Sequence, residues 1–259
     1  MTFLGYKLWQ WALAAFAALA IGISKTGVPG VGTPVVPLLA AAFGGRQSIG
    51  IMLPLLIMGD VFAVTWYRRH AQWDKLVGLL PWVVVGLVIG AGALQVTGKA
   101  SGTRDILGQI IGWLVLIMLG VYFLQGRLGE KLTPTSAVGT AATGVLAGFS
   151  TMVSNAAGPV MTIYLAAHKL PKNEFMGTIA WYFFIINLSK LPVYIALTAI
   201  NPRRPIVTVQ SLTLNAILFP AILVGVLIGR WLLVRIPQKA FEGALIVLAA
   251  IAALKLVIG

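Results

Sequence analysis

Apolar runs long enough to cross a lipid bilayer recur along almost the whole chain. With about 20 residues of helix needed to span the hydrocarbon core, spans are predicted at 47–67, 76–97, 106–125, 175–199, 209–234 and 240–258. The expected punctuation falls between them: Arg68, Arg69 and His70, then residues 99–104, 201–205 and 236–239. Trp9, Trp11, Tyr67, Trp73 and Trp231 lie near these ends, where amphipathic rings favour the membrane–water interface. The fold class that follows is an all-α integral membrane protein, a polytopic helical bundle.

Composition excludes a water-soluble globule. Of the 259 residues, 59% are hydrophobic and only 10% are charged, against roughly 25% charged in soluble domains. One membrane domain over 1–259, multi-pass in the cell (inner) membrane, is expected. A formal net charge of +13 would suggest a nucleic-acid partner in a soluble protein. Here the basic residues fall singly or in pairs between apolar runs, which fits topology and anionic lipid headgroups, and no basic stripe with interleaved aromatics points to nucleic acid. The absence of cysteine removes disulfides, thiolate catalysis and cysteine metal sites together. Residues 1–27 have the outline of a signal peptide, with an early Lys7 and an apolar run. That run continues into sequence matched later in the chain, so it is read as part of the fold.

Two regions interrupt the apolar pattern with residues that weaken or end helices: 22–34, GISKTGVPGVGTP, and 148–159, GFSTMVSNAAGP. Each is followed by a short apolar piece, at 35–43 and 160–167, of about ten residues or roughly 15 Å of helix, which reaches halfway through a membrane. Two pairs of broken or re-entrant half-helices are therefore expected.

The breaks register an internal repeat of 1–125 against 137–259. Gly22-Ile23-Ser24 matches Gly148-Phe149-Ser150, and Gly32-Thr33-Pro34 matches Ala157-Gly158-Pro159 after a gap of one residue. Gly50 then meets Gly177, Asp60 meets Asn187, and LPWVVVGLVIGA at 80–91 meets FPAILVGVLIGR at 219–230. With a broken pair and three spans in each half, each half crosses the membrane an odd number of times, which makes the repeat inverted. Lysines and arginines flanking the spans are modestly more numerous on the side of Arg68, Arg69, Lys172 and Arg235 than on the side of Arg46, Lys99, Arg203 and Arg204, so the former face the cytoplasm.

Interrupted segments at matching places in inverted halves point to a binding site near the bilayer midplane. Half-helix N-termini there present free N–H donors and partial positive charge, which an anion satisfies. Candidate substrate-binding residues are Ser24, Lys25, Thr26, Gly32, Thr33, Ser150, Ser154, Asn155 and Gly158, with Thr151 as a further neutral polar group. The competing reading makes the small residues a device for tight helix packing. Lys25 and Lys190 are cations at membrane depth, and each needs a counterion, a cavity or a route to the interface. Asn187 lies one turn before Lys190 on the same helix face. Asp60 is the one acid well inside a span: buried alone it would carry a proton, whereas beside Lys25 or Lys190 it would be half of an ion pair. Proton coupling and a structural pair both remain open. His70 and His168 flank loops, where interfacial roles outweigh metal ligation.

No enzyme motif is present, and two histidines with six acids make an intramembrane enzyme a remote alternative. An anion channel is the nearer one, since it would use the same donors. No cofactor or metal is expected; the partners are a small anionic substrate and membrane lipids.

The stretches GISKTGVPGVGTPVVPLLA and RQSIGIMLPLLIMGD, with their counterparts GFSTMVSNAAGPVMTIYL and KNEFMGTIAWYFFIINLSKLPVY, give the chain a resemblance to the sulfite exporter TauE/SafE family of membrane permeases. The resemblance covers nearly the whole length. It implies transport of sulfite, sulfonates, thiosulfate or related small anions, often out of the cytoplasm. The second break, Asn155 to Pro159, is poorer in glycine than the family pattern.

Overall fold

The computed structural model describes residues 2–27, 32, 34–99, 106–128, 137–168, 170–235, 247, 250–251 and 253–258. A two-stranded hairpin opens the chain, β1 (Thr2–Phe3) pairing antiparallel with β2 (Tyr6–Lys7). Its turn places Leu4 and Gly5 at φ of 49° and 75°, the left-handed pair that a two-residue hairpin loop requires. The α-helices that follow are α1 (Leu8–Thr26), α2 (Val35–Phe43), α3 (Gly45–Tyr67), α4 (Trp73–Lys99), α5 (Ile106–Leu128), α6 (Ala137–Ser154), α7 (Gly158–Ala167), α8 (Lys172–Ile200) and α9 (Val209–Arg235).

Among the described residues, six helices are long and apolar enough to cross a membrane: α1, α3, α4, α6, α8 and α9. Large apolar side chains are exposed along them, including Val77, Val84, Val88, Ile195, Leu227 and Trp231. In water that surface would be a severe liability; in lipid it is the expected exterior. The spans read from hydropathy appear as α3, α4, α5, α8 and α9. Most of the span expected over 240–258 lies outside the described residues, of which 253–258 are helical.

Helix packing depends on glycine. A Cβ on Gly22 of α1 would stand 2.5 Å from Ile222 O and 2.7 Å from Val226 N of α9, and one on Gly148 of α6 would collide with Val83 O and lie 2.9 Å from Leu87 N of α4. The approach is reciprocal: Gly225 faces Leu19 O, and Gly86 faces Val145 O. Backbones this close leave no room for any side chain, so the α1–α9 and α4–α6 contacts are specified by glycine on both partners. Thr26 adds a hydrogen bond across the first contact, Oγ1 donating to Val226 O at 2.8 Å.

These contacts correct one expectation. The backbone does not open at Gly22 or Gly148; α1 continues through Thr26 and α6 through Ser154. The two glycines lie inside continuous helices and serve packing, and the hydroxyls that could have competed with the helix instead bond back into it. Thr26 Oγ1 also reaches Gly22 O at 3.2 Å, and Ser154 Oγ donates to Ser150 O at 2.8 Å. Ser24, Lys25, Thr26, Ser150 and Ser154 thus lie on the last helical turns rather than in unwound backbone.

The chain doubles back after α1, since Gln10 near its start donates to Ala42 O at the end of α2 at 2.7 Å. Gly44, at φ 80°, then supplies the left-handed joint between α2 and α3.

Candidate anion-binding site

The second break is built by one residue. Asn155 takes φ 56°, a conformation its short polar side chain tolerates. Its N–H donates to Thr151 O at 3.0 Å, the single bond with which a left-handed residue ends a helix, and the N–H of Ala156 reaches back to Ser150 O at 3.4 Å. Two residues later Gly158 and Pro159 start α7, proline's fixed φ and missing N–H suiting the first turn.

Both breaks border one cavity of about 50 Å3, lined by Ser24, Lys25 and Gly32 from the first and by Thr151, Asn155 and Gly158 from the second. Asp60 of α3 and Phe183 and Asn187 of α8 complete its polar and aromatic wall, with Ile21, Met52, Leu56 and Ile179 among its apolar members. Spacings of three or four residues place Phe183, Asn187 and Lys190 on one face of α8.

Lys25 Nζ meets Asp60 Oδ1 at 2.6 Å, with the lysine side chain 10% and the aspartate 0% exposed. The ammonium also lies 4.2 Å from the Phe183 ring centroid, within the range of a cation–π contact. Asn187 Nδ2 donates to the other carboxylate oxygen at 2.7 Å. Lys190 is fully buried. Its Nζ lies 3.0 Å from Thr151 O, 2.8 Å from Thr151 Oγ1 and 2.6 Å from Asn155 Oδ1, three oxygens for the three donors of an ammonium. Asn155 passes the link on, Nδ2 donating to Ile49 O of α3 at 3.3 Å.

Of the residues singled out in the sequence, Ser24, Lys25, Gly32, Asp60, Asn155, Gly158 and Asn187 surround the cavity. Lys190 stands behind it, against Thr151 and Asn155. Thr26 faces α9, the Ser154 hydroxyl is taken up within α6, and Ser150 is buried away from the lining with an Oγ that has no hydrogen-bond partner among the described residues. Thr33 lies outside the described residues. Phe183 went unnoticed in the sequence, where one phenylalanine in a run of aromatic and aliphatic residues carries no signal of facing a cation.

A family model for the sulfite exporter TauE/SafE matches residues 14–256. The chain belongs to the sulfite exporter TauE/SafE family. Neither a curated protein nor a solved structure matches it. As a TauE/SafE protein it is a multi-pass membrane transporter of small sulfur-related anions, and its immediate surroundings are that anion and lipid.

Proposed function

We propose that this protein exports a small sulfur oxyanion, sulfite or an organosulfonate among them, by alternating access around the cavity between the two breaks. The observation that carries the reading is a charge imbalance. Two lysines, Lys25 against Asp60 and Lys190 behind the cavity, accompany a single acid, so basic groups outnumber acidic ones around the site. A buried charge without its partner is costly, and an anion entering the cavity supplies that partner.

Alternating access rests on an inverted repeat, which further pairs of contacts support. The correspondence that sets Asp60 against Asn187 also sets Tyr67 against Tyr194. Tyr67 OH donates to Thr26 O at 3.1 Å, and Tyr194 OH donates to the matching Met152 O at 2.7 Å. The glycine contacts of α1 with α9 and of α6 with α4 correspond in the same way. Matching breaks that meet at one cavity are the arrangement by which rocking of one group of helices against another exposes a fixed site to either side.

Asp60, paired with Lys25 and hydrogen-bonded to Asn187, serves as a counterion in this reading rather than as a proton carrier. Export needs no coupling ion, because each negative charge leaving a negative interior gains about 2.3 kcal/mol per 100 mV. The deciding experiment is counterflow in proteoliposomes with sulfite, thiosulfate, methanesulfonate and chloride. Saturable exchange of a sulfur oxyanion, lost in Lys25→Ala, is the expected result; exchange that persists undiminished in that variant would remove the site.

A further inference from the structure

We infer that Phe183 is a positioning residue of the anion site: its ring holds the Lys25 ammonium at the cavity without neutralising it. The inference rests on the anion-export reading above and deepens it, by giving an uncharged residue a part in anion affinity.

Lys25, near the end of α1, reaches Asp60 by passing over α3, and a glycine makes the passage. A Cβ on Gly59 would stand 2.9 Å from Lys25 Cγ and 3.5 Å from its Cβ, so the lysine stem lies where any larger residue would intrude. The ammonium then meets one carboxylate oxygen, Asp60 Oδ1, at 2.6 Å. Asn187 Nδ2 takes the other oxygen at 2.7 Å, the one on which the lysine could have closed a second bond. Both members of the ion pair border the cavity. The aspartate side chain is 0% exposed and that of the lysine 10%, so the accessible end of the pair is the positive one.

An ammonium has three N–H donors, and a single carboxylate oxygen answers only one of them. At membrane depth such a group needs further support. Phe183 of α8 provides it, with its ring centroid 4.2 Å from Lys25 Nζ. Phe183 and Asn187 lie one turn apart on one face of α8, so that face grips both ends of the pair, the cation with a ring and the carboxylate with an amide. The aromatic character of the grip is decisive. A second acid at this place would cancel the positive end and repel an anion, and an aliphatic side chain would leave the ammonium unsupported. The face of a benzene ring is negative only through its quadrupole, so it attracts the cation while adding no net charge against which an anion must bind.

The test weakens the ring face while nearly keeping its shape. Phe183 is replaced, by nonsense suppression, with phenylalanine carrying one, two or three ring fluorines, each of which withdraws electron density from the face. Saturable exchange of sulfite, thiosulfate and methanesulfonate is measured in proteoliposomes for every member of the series and for Lys25→Ala. For each anion that the unmodified protein exchanges, the half-saturating concentration should rise step by step with fluorine number, by about tenfold over the series, while the maximal rate changes far less. A half-saturating concentration that stays level or falls as fluorines are added would overturn this role of Phe183; with exchange still lost in Lys25→Ala, the anion site itself would stand. Exchange that persists undiminished in Lys25→Ala, or no saturable exchange of any of the three anions in the unmodified protein, would remove the site and this role together.

Discussion

Asn155 and Lys190 are joined at 2.6 Å, Oδ1 to Nζ, and through this bond the residue that ends α6 is held by the deepest cation of α8. The lysine also donates to the Thr151 carbonyl, in the last turn of α6, where the helix dipole favours positive charge. Lys190 is therefore a positioning residue for the second break, and Lys25 is the cation that faces the cavity.

From that division of labour, Lys190→Met should destabilise the protein by about 3 kcal/mol, because Thr151 O and Asn155 Oδ1 lose a buried charged donor. Thermal unfolding in detergent would register the loss. A midpoint equal to that of the unmodified protein would show that the cage carries no structural load.

Lys25→Ala should abolish most flux and also destabilise, since it strands the Asp60 carboxylate. The double variant Lys25→Ala with Asp60→Asn should recover stability without recovering flux. The two positions should couple by about 3 kcal/mol in a double-mutant cycle of unfolding. Additive effects would show that the 2.6 Å contact contributes nothing beyond its separate members.

Asp60→Asn alone removes one negative charge from the site and raises its positive excess. Preference should shift towards dianions, with thiosulfate flux rising relative to chlorate by about tenfold, equivalent to 1.4 kcal/mol. Competition assays in proteoliposomes measure this ratio directly. An unchanged ratio would mean that Asp60 does not set the charge to which the substrate responds.

Gly22→Leu and Gly148→Leu should each cost about 1–3 kcal/mol or more by forcing apart backbones already in contact. Gly92→Ala, with open space around its added carbon, should be nearly neutral. The comparison is made by the fraction of protein that elutes as a monodisperse peak after heating. Equal tolerance at all three positions would contradict the close approach of α1 to α9 and of α6 to α4.

The spans were legible because twenty-residue apolar runs have one structural outlet in lipid. Thus α3 runs Gly45–Tyr67 against an expectation of 47–67, and α8 runs Lys172–Ile200 against 175–199. The short helices α2 and α7 were legible from proline and glycine ahead of short apolar pieces. Less visible was where each interruption begins. Gly22 and Gly148 have the same composition whether they loosen a helix or admit a neighbour, and only the position of α9 and α4 decides between those roles. The N-terminal hairpin was missed because strands of two residues have no periodicity to read. Asp60 and Lys25 each stood out as costly charges in apolar sequence, yet their pairing depends on how α1 packs against α3, which no local spacing encodes.

The glycine seams have a bearing on how the molecule can move. Each helix that leads into a break is fused, backbone to backbone, with a helix from the opposite half of the chain: α1 with α9, and α6 with α4. The two sequence halves therefore cannot swing apart as separate bodies without tearing both seams. The natural moving units are the cross-braced couples, one carrying the entrance to the first break and the other the entrance to the second, with the Lys25–Asp60 and Asn155–Lys190 contacts as the clasps between each couple and the helices α3 and α8.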